Sequence, residues 1–178
     1  MYLHAIIFCS FIYVFASAQE IQEAETPFQA ENLTETDNET LKSTDGFILR
    51  PKPWWLRAST KEWQWVAINP KVYYPRHLDP LKYPAIIEHE KIHLAQQKNI
   101  GKYKWLFKYI VSKKFRFEQE MEPIVVEISN TPMEGRRRLV IKYASSLSGA
   151  PYSKAAKTFD FALEGILSKA AEMGVALD

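Results

Sequence analysis

The stretch IIEHEKIHLAQQ, residues 86–97, constrains the fold of this chain more than any other segment. It runs between Pro84, suited to the first position of a helix, and Gly101, suited to its end, so the pattern predicts one helix across it. With a turn of about 100° per residue, Ile86, His93 and Gln97 fall between His89 and Glu90 on a single arc. Ala85 and Ile92 flank that arc on one side, Ile87 and Leu94 on the other, while Glu88, Lys91 and Lys98 share the opposite face. The apolar arc has to turn inward, and it carries two imidazoles and a carboxylate with it. Ordinary hydrogen bonds can satisfy a histidine pair, but they leave Glu90 buried without a counter-charge, which is costly. A shared metal ion and its water give all three groups a reason to be there.

His89-Glu90-Lys91-Ile92-His93 has the H-E-x-x-H spacing. Residues four apart lie on one helical face, so both imidazoles can reach one ion. The glutamate lies about 100° round, beside a zinc-bound water and not on the metal, where it can act as general base. The chain has four histidines, His4, His77, His89 and His93, and one cysteine, Cys9, which falls in an apolar N-terminal stretch. If that stretch is removed, a metal site can use only His, Asp or Glu. A catalytic zinc takes three protein ligands and keeps one position open. The longer pattern H-E-x-x-H-x-x-G-x-x-H fails, because Gln96 and Asn99 hold its Gly and His positions. The run FEQEME (117–122) supplies Glu118, Glu120 and Glu122. Glu118 and Glu122, four apart, share a face; one can bind metal while the other accepts the free N–H of a ligand histidine. Glu120 is the alternative ligand, and a solvated acidic helix face is the competing reading.

HEKIHLAQQ followed by FEQEME resembles a minimal gluzincin, and the spacing HExxHxxQ…RxExE is similar to that of short metallopeptidase-like proteins. The resemblance covers about residues 64–130. It implies a zincin-like fold, one catalytic Zn2+ and hydrolysis of peptide bonds by glutamate-assisted attack of zinc-bound water. It assigns His89, His93 and Glu118 to the metal, Glu90 to the general base and Glu122 to support of a ligand histidine. Met121 stands where a small alanine is common, and Pro123 is unusual in that helix, so the register leaves Glu120 open as the ligand.

Around this core the chain divides in three. Residues 1–18 are almost wholly apolar and end in Ala16-Ser17-Ala18, which reads as a secretory signal peptide, with an uncleaved membrane anchor as the alternative. The expected destination is secreted or periplasmic. Residues 19–45 carry eight acids against Lys42, a net of −7, and are expected to be a flexible leader with sequons at Asn32 and Asn38. With +2 overall, residues 46–178 carry +9, a length and charge suited to one basic domain meeting an acidic substrate or an anionic surface.

In that domain FILR (47–50), EWQWVAI (62–68) and KVYYP (71–75) read as short strands of a small antiparallel sheet or hairpin, and PKPWW (51–55) as packed loop. Helices are expected over 102–114, 115–130, 131–149 and 153–173, giving an α+β, helix-rich domain. The strand over 63–68 is the candidate edge for an extended peptide or protein substrate. His77, Tyr143 and Tyr152 are candidate oxyanion donors. KYKWLFKYIVSKKFR (102–116) mixes six bases with five aromatics. Its aromatics are expected to cover the core while its lysines reach solvent, with weak membrane-surface contact as the alternative. GRRR (135–138) reads as a solvated helix turn, and no groove-reading motif points to nucleic acid.

Overall fold

Strand-forming residues gather at the front of the chain and helix-forming ones behind them, and the computed structural model keeps that division. It describes residues 33–37, 40–43, 46–149, 152, 155 and 158–177; segment 1–18 with Cys9 and the sequons at Asn32 and Asn38 lie outside the described residues. The five strands are β1 (Leu33–Asp37), β2 (Thr40–Ser43), β3 (Ile48–Pro51), β4 (Val66–Ile68) and β5 (Lys71–Tyr74), in spatial order β1-β2-β3-β5-β4. β4 and β5 form the expected hairpin, Ala67 opposite Val72. The sheet is nonetheless mixed, because β3 runs parallel to β5, with Leu49 opposite Val72. Parallel neighbours need a crossover, and here it includes α1 (Trp54–Ser59), which begins within the stretch expected to be loop. β1 and β2 fall inside the segment expected to be a flexible leader. Composition counts side-chain burial alone, whereas β2 gains ladder hydrogen bonds along the open edge of β3.

Asp79 caps a 3-10 turn, Pro80–Lys82, with its Oδ1 accepting from the Leu81 amide at 3.1 Å, and α2 (Pro84–Ile100) starts on Pro84. Gly101, at φ +91°, ends it in a conformation that L side chains rarely adopt. α3 (Lys102–Val111) follows at once. Ser112 closes α3 and opens α4 (Lys113–Ser129), its Oγ accepting from the Phe115 amide at 3.2 Å. α5 (Met133–Ser148) and α6 (Phe159–Glu172) complete the described helices. The capping box expected at Thr131 and Glu134 does not form. The Thr131 hydroxyl donates back to the Glu127 carbonyl at 2.9 Å, and Pro132 takes the cap position. Arg136, expected in a solvated turn, donates to the carbonyls of Ser129, Thr131 and Ala176, pinning the end of α4 to the C-terminal segment.

Two apolar cores result. Phe117, Ile124, Ile128, Leu147 and Ile166 join α4, α5 and α6. Gly165 lets α6 approach α4 closely, since a Cβ there would meet Met121 Sδ at 3.3 Å. Leu49, Trp65, Val72 and Ile87 join the sheet to α2. α2 packs against α4 between the two cores, and the polar groups of interest lie in that seam. The domain is α+β, and no helix among the described residues is long and apolar enough to cross a membrane.

Candidate metal centre

α2 brings His89, Glu90 and His93 into the seam, all buried, with His89 fully covered. α4 answers with Glu120 and Glu127, seven residues apart and so on one face two turns along. Glu127 Oε2 lies 2.9 Å from His89 Nδ1, an ion-pair contact that favours a proton on Nδ1, and His89 Nε2 lies 3.6 Å from Glu120 Oε2. His93 Nδ1 lies 3.0 Å from Gln96 Oε1. The amide orientation there is set independently, because Gln96 Nε2 donates to the Gln119 carbonyl at 3.0 Å. Gln96 Oε1 must therefore accept, His93 carries a proton on Nδ1, and its Nε2 faces Glu120 Oε1 at 3.6 Å.

The Gln119 carbonyl is available for a reason written in the sequence. It is the natural acceptor for the amide of residue 123, and Pro123 has no amide hydrogen. The Gln119 side chain also takes part: its Oε1 accepts from Trp105 Nε1 at 2.9 Å. Trp105 stacks on Tyr109 at 4.5 Å, and both rings lie against His93, at 5.5 and 6.1 Å. Tyr109 donates its hydroxyl to Glu120 Oε1. Arg116 holds this part of α3 in place, its guanidinium donating to the carbonyls of Tyr109 and Ile110 at 2.8 and 2.9 Å.

His89, His93 and Glu120 could hold a metal ion, their ligand atoms all lying within 4.8 Å of one another. The nitrogen–oxygen separations of 3.6 Å are too long for hydrogen bonds. They suit two ligands about 2 Å from one tetrahedral ion, which stand about 3.3 Å apart. Glu120 Oε2 is buried without a hydrogen-bond partner, as expected of an oxygen that faces a cation. The electrostatics agree. Burial would push the His89 imidazolium down, but Glu120 and Glu127 outweigh it and raise His89 to about 10. Burial would raise Glu120, and the two imidazoles overcome it and hold that carboxyl well below the usual range. The seam is thus built to keep positive charge beside Glu120. Burial pushes Glu90 up, opposed by His93 and His89. Burial and the neighbouring Glu127 carboxylate, to which it is hydrogen-bonded, raise Tyr143 well above its ordinary value.

The structure brings His89, Glu90, His93 and Glu120 together, and it corrects the other two assignments. Glu118 points outward, half exposed, 3.8 Å from Lys114, and Glu122 is outside the group. Relative to Glu120, Glu118 lies about 160° round the helix, whereas Glu127 lies about 20° away. Glu127, not Glu122, supports His89. His77 is exposed, 3.7 Å from Glu62, while Tyr143 and Tyr152 are buried, Tyr143 beside Glu127. β4 forms one end of the sheet, as the edge-strand expectation requires, but its Ala67 carbonyl is already engaged by Gln97 Nε2 at 2.9 Å. No protein-family model, curated protein or solved structure matches the chain.

Proposed function

We propose that this chain is a zinc-dependent peptidase of zincin-like design, with His89, His93 and Glu120 as ligands and Glu90 as general base. The observation that carries the reading is the burial of Glu90, 2% exposed, on the same helix turn as two histidines whose Nε2 atoms converge on a third buried ligand. A zinc ion held there lowers the pKa of a bound water toward neutrality and polarises the substrate carbonyl. Glu90 takes a proton from the attacking water and returns it to the leaving nitrogen. Glu127 and Gln96 hold the two imidazoles in one tautomer and orientation throughout. The apolar segment 1–18 supports an extracytoplasmic place of work.

A second reading has its own observation. Tyr109 bonds Glu120 and, with Trp105, covers His93, which suits a non-catalytic zinc-binding module that retains the fold. Metal analysis of the purified wild type and Glu90→Gln, paired with hydrolysis of a fluorogenic peptide library, separates the two. The peptidase reading expects about one zinc per chain in both proteins and hydrolysis in the wild type alone. Hydrolysis that persists in Glu90→Gln removes Glu90 from the reaction. Zinc without hydrolysis in either protein favours the second reading.

A further inference from the structure

α3 has two faces of opposite character. Trp105 and Tyr109 point inward, over the metal ligands. Tyr103, Phe107 and Val111 recur every fourth residue on the far side, 81, 66 and 59% exposed. On a helical wheel this stripe lies roughly opposite the inward pair. The expectation that the aromatics of this helix cover the core therefore holds for Trp105 and Tyr109 and fails for Tyr103 and Phe107. Residues 102–116 hold six bases and no acid. Three of the bases are engaged within the chain: Lys102 donates to the Asn69 carbonyl, Arg116 to α3 carbonyls, and Lys114 lies near Glu118. Lys104, Lys108 and Lys113 remain exposed, Lys108 with its Nζ 5.5 Å from the centroid of the Phe115 ring, and Lys104 and Lys108 follow the apolar stripe along one flank.

We propose that the outer face of α3 docks on an anionic lipid surface. The helix lies in the plane of the interface, with Tyr103, Phe107 and Val111 at the boundary of headgroups and acyl chains and Lys104 and Lys108 at lipid phosphates. Charge complementarity selects this occupant. A second copy of the chain would bring the same lysines against one another in a symmetric contact. The acidic segment 19–45 matches the charge but has few large apolar groups to cover the stripe. A convex helix face with both an apolar stripe and a basic flank fits a fluid anionic surface. The inference rests on the exposed face of α3 alone and stands whether or not the metal centre is catalytic.

Co-sedimentation of the full chain with phosphatidylcholine vesicles, and with vesicles that also contain phosphatidylglycerol, tests it. The expected result is stronger binding to the anionic vesicles, weakened by added salt. Lys104→Gln with Lys108→Gln should lower that binding about 25-fold. Tyr103→Ser with Phe107→Ser should lower it as well. All four positions are exposed, so circular dichroism and metal content should match the wild type. Segment 1–18 would add binding that is indifferent to lipid charge and to these variants. Equal binding to the two vesicle types overturns the proposal, as does wild-type binding by both double variants. So does a lipid-free dimer that the variants disperse while vesicle binding stays unchanged.

Discussion

Gln96 donates to the Gln119 carbonyl at 3.0 Å, the acceptor that Pro123 leaves without its helical partner. A proline in a helix interior normally costs about 3 kcal/mol. Here the break frees one carbonyl, that carbonyl orients the Gln96 amide, and the amide fixes the tautomer of His93. Pro123→Ala should therefore separate stability from metal binding. The restored amide competes with Gln96 for the Gln119 carbonyl. The melting temperature of the metal-free chain should hold or rise, while zinc affinity falls about tenfold or more. Thermal melts beside a competitive zinc titration measure both; unchanged affinity would show that Gln96 does not depend on the break.

Glu120→Gln and Glu118→Gln form a matched pair. Both remove one carboxylate from the same helix, but Glu120 is fully buried facing the imidazoles of His89 and His93, and Glu118 is half exposed beside Lys114. Glu120→Gln should abolish stoichiometric zinc, and Glu118→Gln should retain it. Metal content after dialysis decides, and the reverse pattern would return the third ligand to Glu118.

The α2 half of the centre was legible because its spacing could be tested against a buried face. Ile86, Ile87 and the two histidines are all buried, as that wheel requires. On α4 the four-residue spacing of Glu118 and Glu122, and the resemblance that assigns them, do not say which face is buried. The same wheel on α4 puts Phe117, Ile124 and Ile128 on the arc that holds Glu120 and Glu127, and leaves Glu118 outside it. Pro123 is unusual in its helix, and its effect is not legible in the sequence because it depends on Gln96, 27 residues earlier, a contact that no local pattern reports. The pairing of β1 and β2 escaped for a similar reason: it rests on the backbone edge of β3, which composition does not register.

Glu127 and His89 form a buried charge pair at 2.9 Å, with side-chain exposures of 3 and 0%. Removing one member of such a pair strands the other, at about 3–5 kcal/mol. Glu127→Ala should destabilise the metal-free chain by an amount in that range, read from urea unfolding. Glu127→Gln keeps an acceptor for His89 Nδ1–H and should lose less. Equal losses in the two variants would mean that packing, and not the pair, sets the cost.

Lys52 supplies a pH test away from the candidate metal ligands. Its side chain is 1% exposed, and its Nζ donates to the Lys61 carbonyl and the Thr60 hydroxyl. Burial lowers its pKa from 10.5 to about 8, against the pull of Glu62 and with a smaller push from Arg57. Between pH 8 and 10.5 the unfolded chain binds the proton that the folded chain has released, so this residue makes stability rise with pH across that window. The gain is at most about 3 kcal/mol. Lys52→Met should flatten that part of the profile, measured as the difference between wild-type and variant unfolding free energies at successive pH values. Parallel profiles would mean that Lys52 titrates alike in the folded and unfolded chains.

Tyr109→Phe removes one hydroxyl and leaves the ring, so the stack on Trp105 and the contact with His93 remain. The lost group is the donor to Glu120 Oε1. Glu120 would then meet the metal without its brace, and zinc affinity should fall about tenfold or more. Affinity equal to the wild type would assign Tyr109 to covering the centre and not to holding its ligand. The same variant bears on catalysis, because a hydroxyl that blocks substrate and a brace that positions Glu120 predict opposite changes in peptide hydrolysis. A brace lowers the rate when removed; a blocking hydroxyl raises it.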